Sequence, residues 1–159
     1  FATAGGLNRA RIELAEKMGA DLVLSAKEEG ENLVKIIRDA TNGNGVDVVL
    51  EMSGAPSAVR QAFEMLTPGG RVSLLGLLDK PMEFDLNNAL IFRAATVYGI
   101  SGRRMFQTWY QVKGLLSKPD FRNKIASVIT HKIPMRDFEK GIELINSKKA
   151  GKVVLEPKW

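Results

Sequence analysis

The sequence predicts an α/β fold: most of a doubly wound parallel sheet over roughly the first 115 residues, then a β-α-β tail. Three observations carry this. Apolar residues at helical spacing alternate along the chain with short apolar runs. Two of those runs, Val46–Leu50 and Val72–Leu77, are apolar in nearly every position, as strands covered by helices on both faces are. Small residues recur just past three successive predicted strands, where an open parallel sheet binds its ligand.

The elements follow in order. Leu7, Ala10, Leu14, Ala15 and Met18 mark a first helix, with Gly19 as its stop. "DLVLS" is a short strand. Leu33, Ile36, Ile37 and Ala40 mark a second helix, closed by the turn "NGNG" at Asn42–Gly45. "VDVVLEM" is a buried strand, and Val59, Ala62, Phe63 and Leu66 mark the helix after it. Pro68-Gly69-Gly70 reads as turn punctuation before the strand "RVSLLGL". Leu86 to Arg93 is a short helix capped near Asn87 or Asn88, and "ATVYGI" is a further strand rich in β-branched and aromatic residues. Met105, Trp109, Val112 and Leu116 mark a fourth helix. Beyond "LSKPDF", near Lys118 to Phe121, the character changes. "IASVITHKIPM", a helix with Phe138, Ile142 and Ile145 on one face, and "GKVVLEP" make the tail.

Composition narrows the function. No apolar run approaches the ~18 residues of a membrane span, and no basic leader with an apolar segment and cleavage site is expected. The net charge is +5, but the 23 basic residues are dispersed without a run of five, which argues against a nucleic-acid surface. There is no cysteine and a single histidine, His131, so neither a disulfide nor the usual Cys/His zinc set is available.

The candidate site lies at three strand ends: Glu51–Pro56 ("EMSGAP"), Leu75-Gly76-Leu77, and Gly99–Arg103 ("GISGR"). Glycine there lets a flat ring or a ribose approach the main chain, whose N–H and C=O groups then bond a carboxamide. Glu51 has two readings, a general base or a carboxylate bonded to a ribose or a backbone amide. Ser53 serves the loop or caps the helix after Pro56. Trp109 and Tyr110 read as core or interface aromatics, and His131 as structural. No triad, paired catalytic carboxylates, Walker loop or G-x-G-x-x-G motif occurs.

The runs "RIELAEKMGAD", "GNGVDVVLEMSGAP", "LTPGGRVSLLGL", "GISGRRMFQTWYQV", "VITHKIPMRDFEKG" and "AGKVVL" occur in that order. Together they resemble the zinc-containing medium-chain dehydrogenases, from about Leu7 to Leu155. "GRRMFQTWY" and "EMSGAP" resemble the threonine-oxidising branch more than the sorbitol- or alcohol-oxidising ones. The resemblance implies a cytoplasmic homo-oligomer, a tetramer in the family, that oxidises the 3-hydroxyl of threonine with NAD and zinc. It places Arg11 near the adenosine ribose and Ser53 and Gly54 beside the adenine-side ribose. Leu75, Gly76, Leu77, Ile100 and Ser101 fall at the nicotinamide end. Residues 1–118 would form a partial, Rossmann-like NAD-binding domain and 119–159 the segment returning to the catalytic domain.

The departures matter. The family's zinc ligands, proton relay and first strand with its Gly-rich turn have no counterpart in this sequence. Gly6 stands where an acidic residue would bond the ribose hydroxyls, and "FATAGG" does not read like the strand expected there. The resemblance therefore implies an incomplete nucleotide fold that holds no catalytic residue and no zinc, and is inactive alone. Two rival readings stand beside it. "LTPGGRVSLLG" resembles the strand entry of S-adenosylmethionine-dependent methyltransferases, and a non-catalytic oligomerising fragment needs no chemistry at all.

Overall fold

A computed structural model of the chain describes residues 3–6, 9–102, 104–147 and 149–157. Leu7 and Arg103, named above, lie outside the described residues. In chain order the elements are β1 (Thr3–Gly6), α1 (Arg9–Met18), β2 (Leu22–Ser25), α2 (Ala26–Glu29), α3 (Asn32–Ala40), β3 (Val46–Glu51), α4 (Pro56–Glu64) and β4 (Leu66–Leu74). A π-helical turn (Asn87–Ile91) and β5 (Thr96–Gly99) follow. Then come α5 (Gln107–Leu116), α6 (Pro119–Ser127), β6 (Ile129–Pro134), α7 (Phe138–Asn146) and β7 (Lys152–Glu156). Among the described residues every strand pairing is parallel, in three partial sheets ordered β1-β2, β3-β4-β5 and β6-β7. The α/β class and parallel pairing expected from the sequence are the ones observed.

The described residues form two compact units, one spanning 31–102 and the other combining residues of 1–30 with residues of 103–159. The 31–102 unit has a core of Val59, Ala62, Phe63, Leu66 and Val72, with Val49, Leu74, Met82, Phe84, Leu90 and Ala95 packed against it. Phe63 meets Phe84 edge to face at 4.8 Å between ring centres. Arg38 ties the ends of α3 and α4, donating to the carbonyls of Gly43 (2.9 Å) and Glu64 (2.6 Å).

Three readings of this unit change. The sequence pattern covers β3 on both faces, but among the described residues only the side of Val49 is covered. Val48 is exposed, and Leu50 is 61% exposed. Pro68-Gly69-Gly70 is not a turn between elements but a bulge within β4. The pairing jumps from Val46 opposite Leu66 to Val48 opposite Arg71. Gly69 absorbs the bulge at φ +78° and donates its N–H to the carbonyl of Arg93 (2.7 Å), whose guanidinium donates to the carbonyl of Leu66 (3.0 Å). The cap of the turn at 87–91 is also not Asn87 or Asn88. The Asp85 carboxylate accepts from both their N–H groups, at 3.0 and 3.2 Å.

The other unit corrects two more. Thr3–Gly6 is a strand, paired with β2 from Thr3 opposite Leu22 to Gly6 opposite Ser25. Its small residues lack strand propensity, and the ladder with an apolar neighbour overrides that. A helix, α6, precedes β6 and takes in the "IAS" read as strand; Pro119 in its first turn is the missed start signal. The face of α7 bearing Phe138, Ile142 and Ile145 is exposed. The helix seats instead through buried Gly141, where an added Cβ would lie 3.3 Å from Val153 Cγ1 and 3.6 Å from Ile133 Cδ1. A residue without a side chain lets the helix approach the β6-β7 sheet closely.

Candidate functional site at the strand ends

The parallel order β3-β4-β5 brings three strand ends to one edge of one sheet. Glu51 ends β3, Leu75 follows β4 and Ile100 follows β5. Main-chain bonds continue the ladder past the strands. Leu75 and Gly76 donate to the carbonyl of Glu51 (2.9 and 3.3 Å), and Ile100 donates to that of Leu74 (2.9 Å). Ser53, Gly54, Leu75, Gly76, Leu77, Ile100 and Ser101 thus share this edge. Ser53, Leu75, Ile100 and Ser101 are exposed, Leu77 is 90% exposed, and Gly54 is buried. Arg11 lies on α1, with its side chain outside the described residues.

Glu51 is 5% exposed and turned into its own loop. Its Oε1 accepts the Ser53 N–H at 2.8 Å and the Ser53 hydroxyl, and the Gly54 N–H lies 3.1 Å from each carboxylate oxygen. Of the two readings of this residue, the backbone-amide one describes the geometry, because both oxygens are occupied by the loop's own donors. Ser53 Oγ accepts from the Ala55 N–H at 3.2 Å. The N-cap of α4 is Ala55, without a side-chain bond, so Ser53 braces the loop instead of capping the helix.

The strand-end glycines divide into two kinds. A Cβ on Gly54 would collide with the Leu77 carbonyl oxygen, and one on Gly76 with the Gly54 nitrogen. At these two positions main chain meets main chain, and the space saved is already used. At Gly99 and Gly102 an added Cβ would meet nothing within 4 Å. Sequence reasoning treats the three ends alike. Of the three, only the end at β5 has open space beside its glycines.

The remaining candidates lie elsewhere. His131 is in β6, half-buried, with Nδ1 2.9 Å from Thr130 Oγ1. Trp109 and Tyr110 are exposed on α5, which corrects the core half of their reading. Trp109, Val112, Lys113 and Leu116 line an open, largely apolar groove of about 900 Å³ there. That groove presents little with which to orient a polar substrate, so the strand ends remain the better candidate. Among the described residues no group of three or more His, Cys, Asp or Glu is placed to hold a metal ion. The residues present therefore do not fit zinc. At Gly99 the space beside the main chain is open.

Residues 3–118 match the zinc-binding dehydrogenase family. Curated relatives include L-threonine 3-dehydrogenases of Caldanaerobacter subterraneus, 46% identical over 92% of this chain and 42% of the relative, and of Pyrococcus abyssi, 49% identical over 91% and 40%. Among solved structures, an alcohol dehydrogenase from Thermotoga maritima superposes with a TM-score of 0.84 at 30% identity, over 98% of this chain and 43% of that one. The chain thus spans about two fifths of the length of these relatives.

Proposed function

The chain belongs to the zinc-binding dehydrogenase family, and from that premise we propose that it supplies part of the NAD site of an L-threonine 3-dehydrogenase. The whole enzyme would convert threonine and NAD to 2-amino-3-ketobutyrate and NADH. The observation that carries this reading is the single sheet edge shared by the ends of β3, β4 and β5, with Leu75, Leu77, Ile100 and Ser101 exposed along it and open space at Gly99. The names of the curated relatives support the substrate.

Bound NAD would supply the hydride acceptor. This chain's own residues bind and orient. Leu75, Leu77 and Ile100 present apolar surface to one face of a flat ring, and the main chain around Gly99 approaches it without a side chain in between. Ser53 and Gly54 are assigned to the loop beside the adenine-side ribose, and Arg11 to the adenosine end. No proton transfer is assigned to any residue here, since Glu51 is bonded within its loop and His131 lies in the other unit. Residues 1–118 are assigned to the NAD-binding domain and 119–159 to the segment that rejoins the catalytic domain. Homo-oligomer formation is assigned to the exposed edge strand β5.

The test mixes this chain with a separately produced N-terminal part of a relative and follows NADH formation. We expect none from the chain alone with threonine, NAD and zinc, and threonine-dependent NADH from the mixture. Reduction by the chain alone would overturn the division of labour; a mixture that forms NADH with other secondary alcohols but not with threonine would overturn the substrate. NAD binding to the chain alone is expected no tighter than about millimolar, because only one end of the cofactor is gripped.

A further inference from the structure

We propose that Glu51 is a positioning residue that couples two strand-end loops, holding Ser53–Gly54 against Leu75–Leu77 and so setting the wall offered to the cofactor. The inference rests on the cofactor reading above for its last step only.

Three observations converge on one residue. The buried Glu51 carboxylate accepts from three donors of its own loop: the Ser53 N–H, the Ser53 hydroxyl and the Gly54 N–H. The carbonyl of the same residue accepts the N–H groups of Leu75 and Gly76 in the neighbouring loop. The two loops then touch main chain to main chain, Gly54 against Gly76 and Leu77, with no side chain between them to absorb a displacement. Interfaces of backbone on backbone are stiff, because close-packed atoms transmit a shift instead of filling it. Gly54 is held at φ +71°, a left-handed conformation that the carboxylate bonds help to fix. Loosening the carboxylate frees Gly54, and Gly54 cannot move without Gly76 and Leu77. Leu77, 90% exposed in the second loop, is therefore aimed by a buried side chain turned into the first.

Glu51→Gln tests this in the 159-residue chain. Glutamine keeps the shape and one acceptor oxygen but presents an NH₂ donor to the Gly54 N–H, so the loop loses one carboxylate bond without a cavity. Amide hydrogen exchange followed by NMR should quicken about tenfold at Ser53 and Gly54, and by a similar factor at Leu75 and Gly76, the size of one hydrogen bond to a charged group. The amides of Val59 and Phe63 in α4 should not change. A Ser53→Ala chain keeps the Gly54 bond and should leave exchange at Leu75 and Gly76 unaltered. Faster exchange confined to Ser53 and Gly54, or spread evenly to Phe63, would overturn the coupling. In an NAD titration of the same chains, Glu51→Gln should weaken binding about tenfold; exchange altered at all four amides with NAD binding unchanged would overturn the link to the cofactor. If the unaltered chain gives no response even at NAD concentrations well above about millimolar, the cofactor reading falls, and the exchange pattern still decides the coupling.

Discussion

Two loops of the 31–102 unit use one device in opposite surroundings. At 51–54 a carboxylate accepts the N–H groups two and three residues ahead of it, and at 85–88 another does the same. Both are local turns in which an acidic side chain stands in for a main-chain acceptor. Glu51 is buried, and behind it the Gly54 main chain is pressed onto the next loop. Asp85 is exposed, and the groups it bonds are exposed with it. A lost bond at Asp85 is replaced by water, whereas at Gly54 water has no easy way in. Burial, not bond count, decides what each loop is worth, and the changes below are ordered by how strongly they strain that difference.

Gly54→Ala is the largest. It forces a Cβ into the Leu77 carbonyl at a left-handed φ. Overpacking and backbone strain together should cost roughly 2–5 kcal/mol, read from the urea midpoint. Gly99→Ala, with open space at the added methyl, should stay within about 0.5 kcal/mol. Equal costs for the two would mean that the two kinds of strand-end glycine do not differ.

Glu51→Ala comes next, at about 2–4 kcal/mol, since the buried Gly54 N–H loses its acceptor while water partly rescues exposed Ser53. Asp85→Ala at an equal cost would break the comparison. Ser53→Ala removes one hydroxyl from the same loop and should cost about 1 kcal/mol by the same unfolding measurement.

What the sequence made legible is what local rules govern. Periodicity found α1, α3, α4, α5 and α7, and Gly19 does end α1, at φ +97°. The apolar runs found β3, β4 and β5, and the strand-end rule gathered Ser53 to Ser101 onto one edge. Long-range pairing decided the rest. "TAGG" becomes a strand only because β2 lies beside it, and "PGG" becomes a bulge only because β3 continues past it. The letters of Gly54, Gly76 and Gly99 are identical, and only the neighbouring main chain tells which of them is filled. A signal for the role of Glu51 was present, an acidic residue two and three positions before the amides of Ser53 and Gly54 at a strand end. Burial, which separates it from Asp85, cannot be read from spacing.

The smallest effect belongs to Asp85, and it is a pH effect. The Asn88 side-chain amide, foremost, with the backbone N–H groups of Asn88 and Asn87, holds the Asp85 carboxyl below its ordinary value of 3.8. A carboxyl whose folded value is depressed binds its proton more weakly in the folded chain than in the unfolded one. Its contribution to stability is therefore fully present above 3.8 and is lost as pH falls through the lower, folded value. Asp85→Asn keeps the shape, removes the charge and has no carboxyl to titrate. The difference in unfolding midpoint between the unaltered chain and the Asp85→Asn variant should be small and flat at neutral pH, then shrink as pH drops below 3.8. Salt should change it little, because the contact is a short hydrogen bond and not a long-range attraction. A difference that grows on acidification would reverse the sign of the linkage, and the exposed loop would then owe its shape to something other than the carboxylate that the buried loop also uses.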